Sequence, residues 1–292
     1  MTHVVKRLLA PTLVLFLGAA CTHAANADYA NPQLLTSTEQ LDRMLDQPGV
    51  RVVDVRPKAD FDKGHIEGAV HLGADDIIDP NSHIEGDLLP HDEIVAMLED
   101  RGIDRNTPVV FYDDKGGFHA ARLFWMLEYF GHRKASVLNG GFPKWQKEGR
   151  PVSTKPTRYQ RSEFTLTAIP RRMATADWLL DRSDDSNVVV IDVRPTKAYD
   201  AGHIPWARNI PWKQNLAADG TLKPADVLLA HFESQGVTRD KNVAVHCQVG
   251  KAAAHSYLAL RLLGYPRIRS YDRSWAEWGN ADDLPRAEKS KS

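Results

Sequence analysis

Cys247 sits in the run Asn242-Val-Ala-Val-His-Cys-Gln-Val-Gly-Lys-Ala-Ala-Ala-His255, where an apolar strand pattern gives way to a glycine-containing loop and then an Ala-rich helical stretch. Such a placement aims loop N–H groups and the positive end of a helix at one sulfur, which favours the nucleophilic thiolate over the thiol. Gly250 lets the backbone turn tightly, and the successive amides of Gln248, Val249, Gly250, Lys251, Ala252 and Ala253 can form a nest around that sulfur. Lys251 adds a formal positive charge near the rim. His246, one residue earlier on the strand, points to the opposite face and is not expected to touch the sulfur.

The elements that hold this loop begin after a targeting pattern. Lys6 and Arg7 precede an apolar stretch over 8–20 that is too short to span a bilayer, and Ala25-Asn-Ala27 matches a small-x-small cleavage site. Residues 1–27 therefore read as a signal peptide, and the expectation is a soluble exported protein, periplasmic in a Gram-negative source. The alternative is a lipoprotein anchored through Cys21, because Leu17-Gly-Ala-Ala-Cys21 resembles a lipobox; Gly18 stands where a larger aliphatic residue is usual. Cleavage after Ala27 leaves Cys247 as the sole cysteine of the mature chain. An intramolecular disulfide is then impossible, and a lone thiol in an exported protein points to reactivity or intermolecular pairing.

The 292 residues carry a net charge of -1, with 37 Lys and Arg balanced by 38 Asp and Glu. That balance offers no electrostatic case for nucleic acid or an acidic membrane surface, so selectivity for an anion must come from a local site. No metal-ligand spacing and no Gly-rich nucleotide motif stands out, and no cofactor or metal is expected.

Two copies of one unit run through the chain. Val52-Val-Asp-Val-Arg-Pro57 and Gly64-His-Ile66 recur as Val190-Ile-Asp-Val-Arg-Pro195 and Gly202-His-Ile204. Downstream, Thr107-Pro-Val-Val-Phe-Tyr-Asp113 matches Lys241 to Cys247, and Val137-Leu-Asn-Gly-Gly-Phe-Pro-Lys-Trp145 matches Ser270-Tyr-Asp-Arg-Ser-Trp-Ala-Glu-Trp278. A period this long exceeds that of solenoid repeats, so each copy is a domain with its own core. The expected limits are 29–150 for the first domain, 151–170 for a linker and 171–285 for the second. Short β-branched runs alternate with helical patterns, which predicts an α/β fold in which each domain is a mostly parallel sheet flanked by helices. Ligands of such sheets bind at the carboxyl ends of strands, where Cys247 falls.

Asp-Val-Arg after a strand, Gly-His-Ile, then a strand ending in Cys with a loop entering a helix, resembles the rhodanese family of sulfurtransferases over nearly all of the mature chain. The resemblance implies two tandem rhodanese-like domains, a catalytic Cys247 in the second and a persulfide mechanism. It matches Arg194 to the family's substrate-contacting arginine; with Gln248, Val249, Gly250 and Lys251 this completes the expected donor site. A small anionic sulfur donor such as thiosulfate carries two negative charges, so a thiolate needs local cations and N–H donors to approach it. Cys247 would take the outer sulfur and pass it to a thiol or cyanide acceptor, with a protein sulfur acceptor a further candidate. Charge favours thiosulfate over 3-mercaptopyruvate. The first-domain counterpart, Asp113, cannot form a persulfide, so only the second half is catalytic.

Two other readings compete. A cysteine phosphatase or arsenate reductase needs an arginine six residues after the cysteine to clamp its oxyanion, and that position is Ala253. A non-catalytic persulfide carrier or redox-responsive protein would hold sulfur on Cys247 as cargo. Asp192, His65 and His203 read as structural, because the same residue types stand at matched positions in the half without a cysteine.

Overall fold

The computed structural model describes residues 29–47 and 49–287; the expected leader at 1–27, with Cys21, lies outside the described residues. Runs of Val and Ile form the strands because branched side chains fit a pleated surface covered on both faces. The first half holds β1 (Leu35–Thr36), β2 (Arg51–Asp54), β3 (His65–Ile66), β4 (Val70–His71), β5 (Val109–Tyr112), β6 (Ala135–Leu138) and β7 (Val152–Ser153). Five of them build a parallel sheet ordered β1-β6-β5-β2-β4, beside which β3 and β7 pair antiparallel. The second half holds β8 (Val188–Asp192), β9 (Ala207–Asn209), β10 (Asn242–His246) and β11 (Ile268–Ser270), all parallel in the order β11-β10-β8-β9. With β10 central, Cys247 leaves the sheet between the ends of β8 and β11.

Strand β5 leads toward the helix Ala120–Tyr129 and β10 toward the helix Lys251–Leu262. Every residue of the first helix is buried, and all of the second except Lys251 and Arg261. Both are therefore largely apolar around their whole circumference, as helices enclosed on all sides must be. They pack against each other where the domains meet, and one continuous apolar core links the two halves. A carboxylate in this seam gathers several polar partners. Glu128 accepts from Tyr257 Oη at 2.7 Å and from Arg261 Nε at 3.0 Å and Nη2 at 2.8 Å. Burial alone would raise its carboxyl, but Arg261, Arg172 and Tyr257 hold it below the ordinary range.

The connector at 151–170 is laid along the first domain instead of standing free. Tyr159 stacks under the Arg51 guanidinium at 3.6 Å, Phe164 is buried, and the Thr167 and Ile169 amides donate to the carbonyls of Phe130 and Tyr129. These contacts hold the end of the helix Ala120–Tyr129 while its start faces the cysteine loop.

Candidate active site

Cys247 is only 3% exposed. Its N–H donates to Ser274 Oγ at 3.0 Å, and that hydroxyl lies 3.9 Å from Sγ. Its carbonyl accepts from Trp275 N–H at 3.0 Å, which ties the cysteine to the short helix Ser274–Trp278 that follows β11. The amides of Ala253, Val249 and Ala252 face the sulfur. Gly250 makes this wrap feasible: its φ is +82°, and a Cβ there would lie 2.1 Å from Asp272 Oδ1 and 2.7 Å from the Asp272 carbonyl. The nest expected from the loop thus includes Val249 and turns at Gly250.

A resting thiolate, expected from the sequence, is not what this burial favours. Exclusion of water pushes the Cys247 thiol up, while the amides of Ala253, Val249 and Ala252 and the Ser274 hydroxyl pull the other way. Burial is the larger influence, so the thiol form is favoured while the nest is arranged to favour the anion.

The two expected cations need correction. Arg194 is not a free anion clamp: it is buried, and Nε and Nη2 bind the Asp192 carboxylate at 2.6–3.0 Å while Nη2 also donates to the Gly202 carbonyl at 2.7 Å. Arg56 makes the same pair with Asp54 and Gly64 in the half without a cysteine. The arginine two residues after the aspartate therefore first serves the fold; it reaches the site through Trp275, over whose ring its guanidinium sits at 4.5 Å. Lys251 Nζ pairs with Asp75 of the first domain at 2.5 Å, so its charge is shared across the domain junction. The Gln248 side chain is exposed, and its carbonyl accepts from Ala276 N–H at 2.9 Å.

The first domain repeats the nest around a carboxylate. Asp113 Oδ1 accepts from the amides of Lys115 and Gly117 at 2.9 and 2.8 Å, and Oδ2 from those of His119 and Ala120 at 2.7 and 3.1 Å. Gly117, four residues after Asp113, takes the positive φ that Gly250 takes three residues after Cys247. His119 and Ala120 correspond to Ala252 and Ala253. A fully buried carboxylate fills this hole permanently, so it has no vacancy for a donor anion.

The sequence reading missed Ser274, Asp272 and Arg122. Ser274 carries a positive φ of 53°, the one such non-glycine among the described residues, and its repeat partner is Gly141 at φ 58°. The aligned pair of segments held that signal: a serine stands where the twin needs glycine, at a cost of about 1–2 kcal/mol, and its hydroxyl meets Cys247. Asp272 packs on Gly250 and binds Arg122 of the first domain at 2.7 and 3.1 Å. Arg122 also donates to the Gly86 carbonyl at 2.6 Å, and a Cβ on Gly86 would lie 2.7 Å from Val249. Loop 73–87 of the first domain therefore covers the cysteine loop.

The remaining polar groups are structural. His246 lies 3.6 Å from Asp192 on the far side of the strand from the sulfur. His65 and His203 bind the Phe61 and Tyr199 carbonyls, each at 2.9 Å.

Comparison with known proteins identifies the family of this two-domain fold. The Rhodanese-like domain model matches residues 37–148 and 175–281. The chain belongs to the rhodanese family, as two tandem copies. It is 35% identical over 280 residues to the sulfur carrier protein TtuD of Thermus thermophilus, covering 88% of this chain and 97% of that one. It is 33% identical to the thiosulfate sulfurtransferase of Bos taurus, covering 79% and 85%. The crystal structure of SseA from Escherichia coli, a 3-mercaptopyruvate sulfotransferase, superposes with a TM-score of 0.76 at 29% identity, covering 83% of this chain and 98% of SseA.

Proposed function

We propose that this chain moves sulfane sulfur from thiosulfate to a thiol or cyanide acceptor through a Cys247 persulfide. The Cys247 sulfur attacks the outer sulfur of thiosulfate, the sulfur–sulfur bond of the donor breaks, and sulfite departs with the bonding pair. The acceptor then takes the outer sulfur and Cys247 is restored. One observation carries the reading: the amides that hold the Asp113 carboxylate have counterparts around Cys247, so the loop is built for a negative charge on that sulfur. Mass spectrometry after thiosulfate treatment should find one added sulfur on the Cys247 peptide, with sulfite released. An unmodified peptide in folded protein refutes the assignment, and Cys247→Ser should abolish turnover while keeping the fold.

The engagement of Arg194 and Lys251 in ion pairs supports 3-mercaptopyruvate as a second donor, because less positive charge is free for a dianion. Parallel kinetics with both donors decides between them. The similarity to a sulfur carrier supports a protein acceptor; repeated turnover with a small thiol marks an enzyme and a single stoichiometric burst a carrier. The leader pattern supports export to a periplasm, and N-terminal sequencing of the mature chain distinguishes cleavage after Ala27 from lipid attachment at Cys21.

A further inference from the structure

The two helices at the domain junction each brace the other domain's loop. Arg122 stands two residues past Ala120 and His255 two residues past Ala253, so the repeat puts them at the same point of their helices. His255 Nε2 donates to the Gly116 carbonyl at 3.1 Å, and a Cβ on Gly117, which turns the loop around Asp113, would lie 3.6 Å from the His255 ring. The second-domain helix thus supports the first-domain nest. Arg122 does the converse for the cysteine loop, through two partners. Its Nε donates to Asp272 Oδ1 at 3.1 Å and its Nη2 to Oδ2 at 2.7 Å, and Asp272 packs so closely on Gly250 that no Cβ fits between them. Nη2 also donates to the Gly86 carbonyl at 2.6 Å, and Gly86 is pressed on the Val249 side chain, where a Cβ would come within 2.7 Å. One guanidinium therefore fixes what lies against Val249 and Gly250, consecutive residues of the loop that wraps the sulfur.

We infer that Arg122 of the first domain is a positioning residue for sulfur loading on Cys247: by holding Asp272 and the Gly86 carbonyl, it keeps the cysteine loop in the shape that stabilises negative charge on the sulfur. The inference rests on the persulfide reading above. Arg122 is fully buried, and a charge taken out of water is tolerated only where partners occupy its N–H groups. Its planar fork reaches a carboxylate and a carbonyl at fixed angles, which an ammonium on a flexible stem does not. With both oxygens of Asp272 held, Gly250 cannot swing toward that side, and with Gly86 held, Val249 cannot lift away from the sulfur. The half without a cysteine thereby takes part in the chemistry of the half that has one, although Arg122 itself makes and breaks no bond.

The test uses the full chain and separates loading from stability. In folded Arg122→Gln, sulfite release at saturating thiosulfate should slow at least about tenfold, as when a donor to a developing anion is displaced. The half-saturating thiosulfate concentration should stay within about twofold, because the loop acts on charge that develops in the reaction and not on the resting complex. The pH midpoint for alkylation of Cys247 by iodoacetamide should rise by about one unit, a tenfold weaker preference for the sulfur anion. Should urea unfolding show that this variant does not fold, Arg122→Gln combined with Asp272→Asn, which leaves no lone buried charge, carries the same expectations. His255→Gln loses a junction contact of the opposite loop and should load within about twofold of wild type. A folded Arg122 variant that loads at the wild-type rate, an alkylation midpoint that stays in place, or an equal loss in His255→Gln overturns the inference alone. A wild-type Cys247 that alkylates but never accepts sulfur from thiosulfate overturns the persulfide reading, and the alkylation midpoint then decides for or against Arg122.

Discussion

Asp75→Asn should raise activity with thiosulfate more than with 3-mercaptopyruvate. Asp75 neutralises Lys251 at 2.5 Å, yet its side chain is 80% exposed while that of Lys251 is only 19% exposed. Two unit charges about 4 Å apart interact by about 1 kcal/mol in water and about 4 kcal/mol at an effective dielectric of about 20. The exposure of Asp75 places this pair at the weak end, where exposed ion pairs contribute about 0–1 kcal/mol. Removing its charge therefore favours an approaching anion by about 0.5–1 kcal/mol per unit of donor charge. Thiosulfate carries one more negative charge than the carboxylate of mercaptopyruvate, so the ratio of their kcat/KM values should move about two- to fivefold toward thiosulfate. Initial-rate kinetics at about 20 mM and about 500 mM salt adds a second criterion, since the shift should shrink as the screening length falls. A change of equal size for both donors, or one indifferent to salt, refutes Lys251 as the rim cation.

Two further outcomes follow from the same geometry. Gly250→Ala must place a Cβ 2.1 Å from Asp272 Oδ1 at a positive φ, so persulfide formation should fall at least about tenfold and stability by about 1–3 kcal/mol, read by sulfite release and urea unfolding. His255 is fully buried, which depresses its pKa from 6.5 to about 4, so folding is most stable while it is neutral above pH 6.5 and loses that contribution as pH falls toward about 4. By linkage the loss reaches about 2.5 kcal/mol at about pH 4.5. His255→Gln should erase about that much of the difference between urea unfolding at pH 7.5 and at pH 4.5, and an unchanged difference counts against it.

The duplicated architecture was legible because β-branched runs and the Asp-Val-Arg and Gly-His-Ile segments report local structure directly. The cysteine loop was legible for the same reason: strand, glycine and helix start lie within a few residues. What eluded the sequence lies across the domain junction. Lys251 meets Asp75 from 176 positions away, and Arg122 meets Asp272 from 150. No local pattern announces such partners, so Lys251 was taken as free and Arg122 was missed. Arg194 is the opposite case, since an aspartate two residues before an arginine at a strand end is itself the sign of an internal pair. Only its exposure, a property of the packed chain, decides which role comes first.

The twin domains make the chemistry of the loop a controlled comparison. In both halves a strand ends at an acidic or acidifiable residue, a glycine at positive φ turns the chain, and helix-start amides converge on one atom group. Asp113 satisfies those amides permanently, because its carboxylate oxygens accept from four of them. Cys247 cannot, since its buried thiol resists ionisation, and the amides around it gain most when negative charge appears on sulfur. Preference for the charged over the resting form is what lowers a barrier, whereas equal satisfaction of both does nothing. The same contrast explains Ser274. The first domain relaxes that position with Gly141, while the second retains a strained serine whose hydroxyl accepts from the Cys247 amide, donates to the Tyr271 carbonyl at 2.7 Å and lies 3.9 Å from the sulfur. The half that carries the cysteine is the half whose loop remains incompletely satisfied at rest.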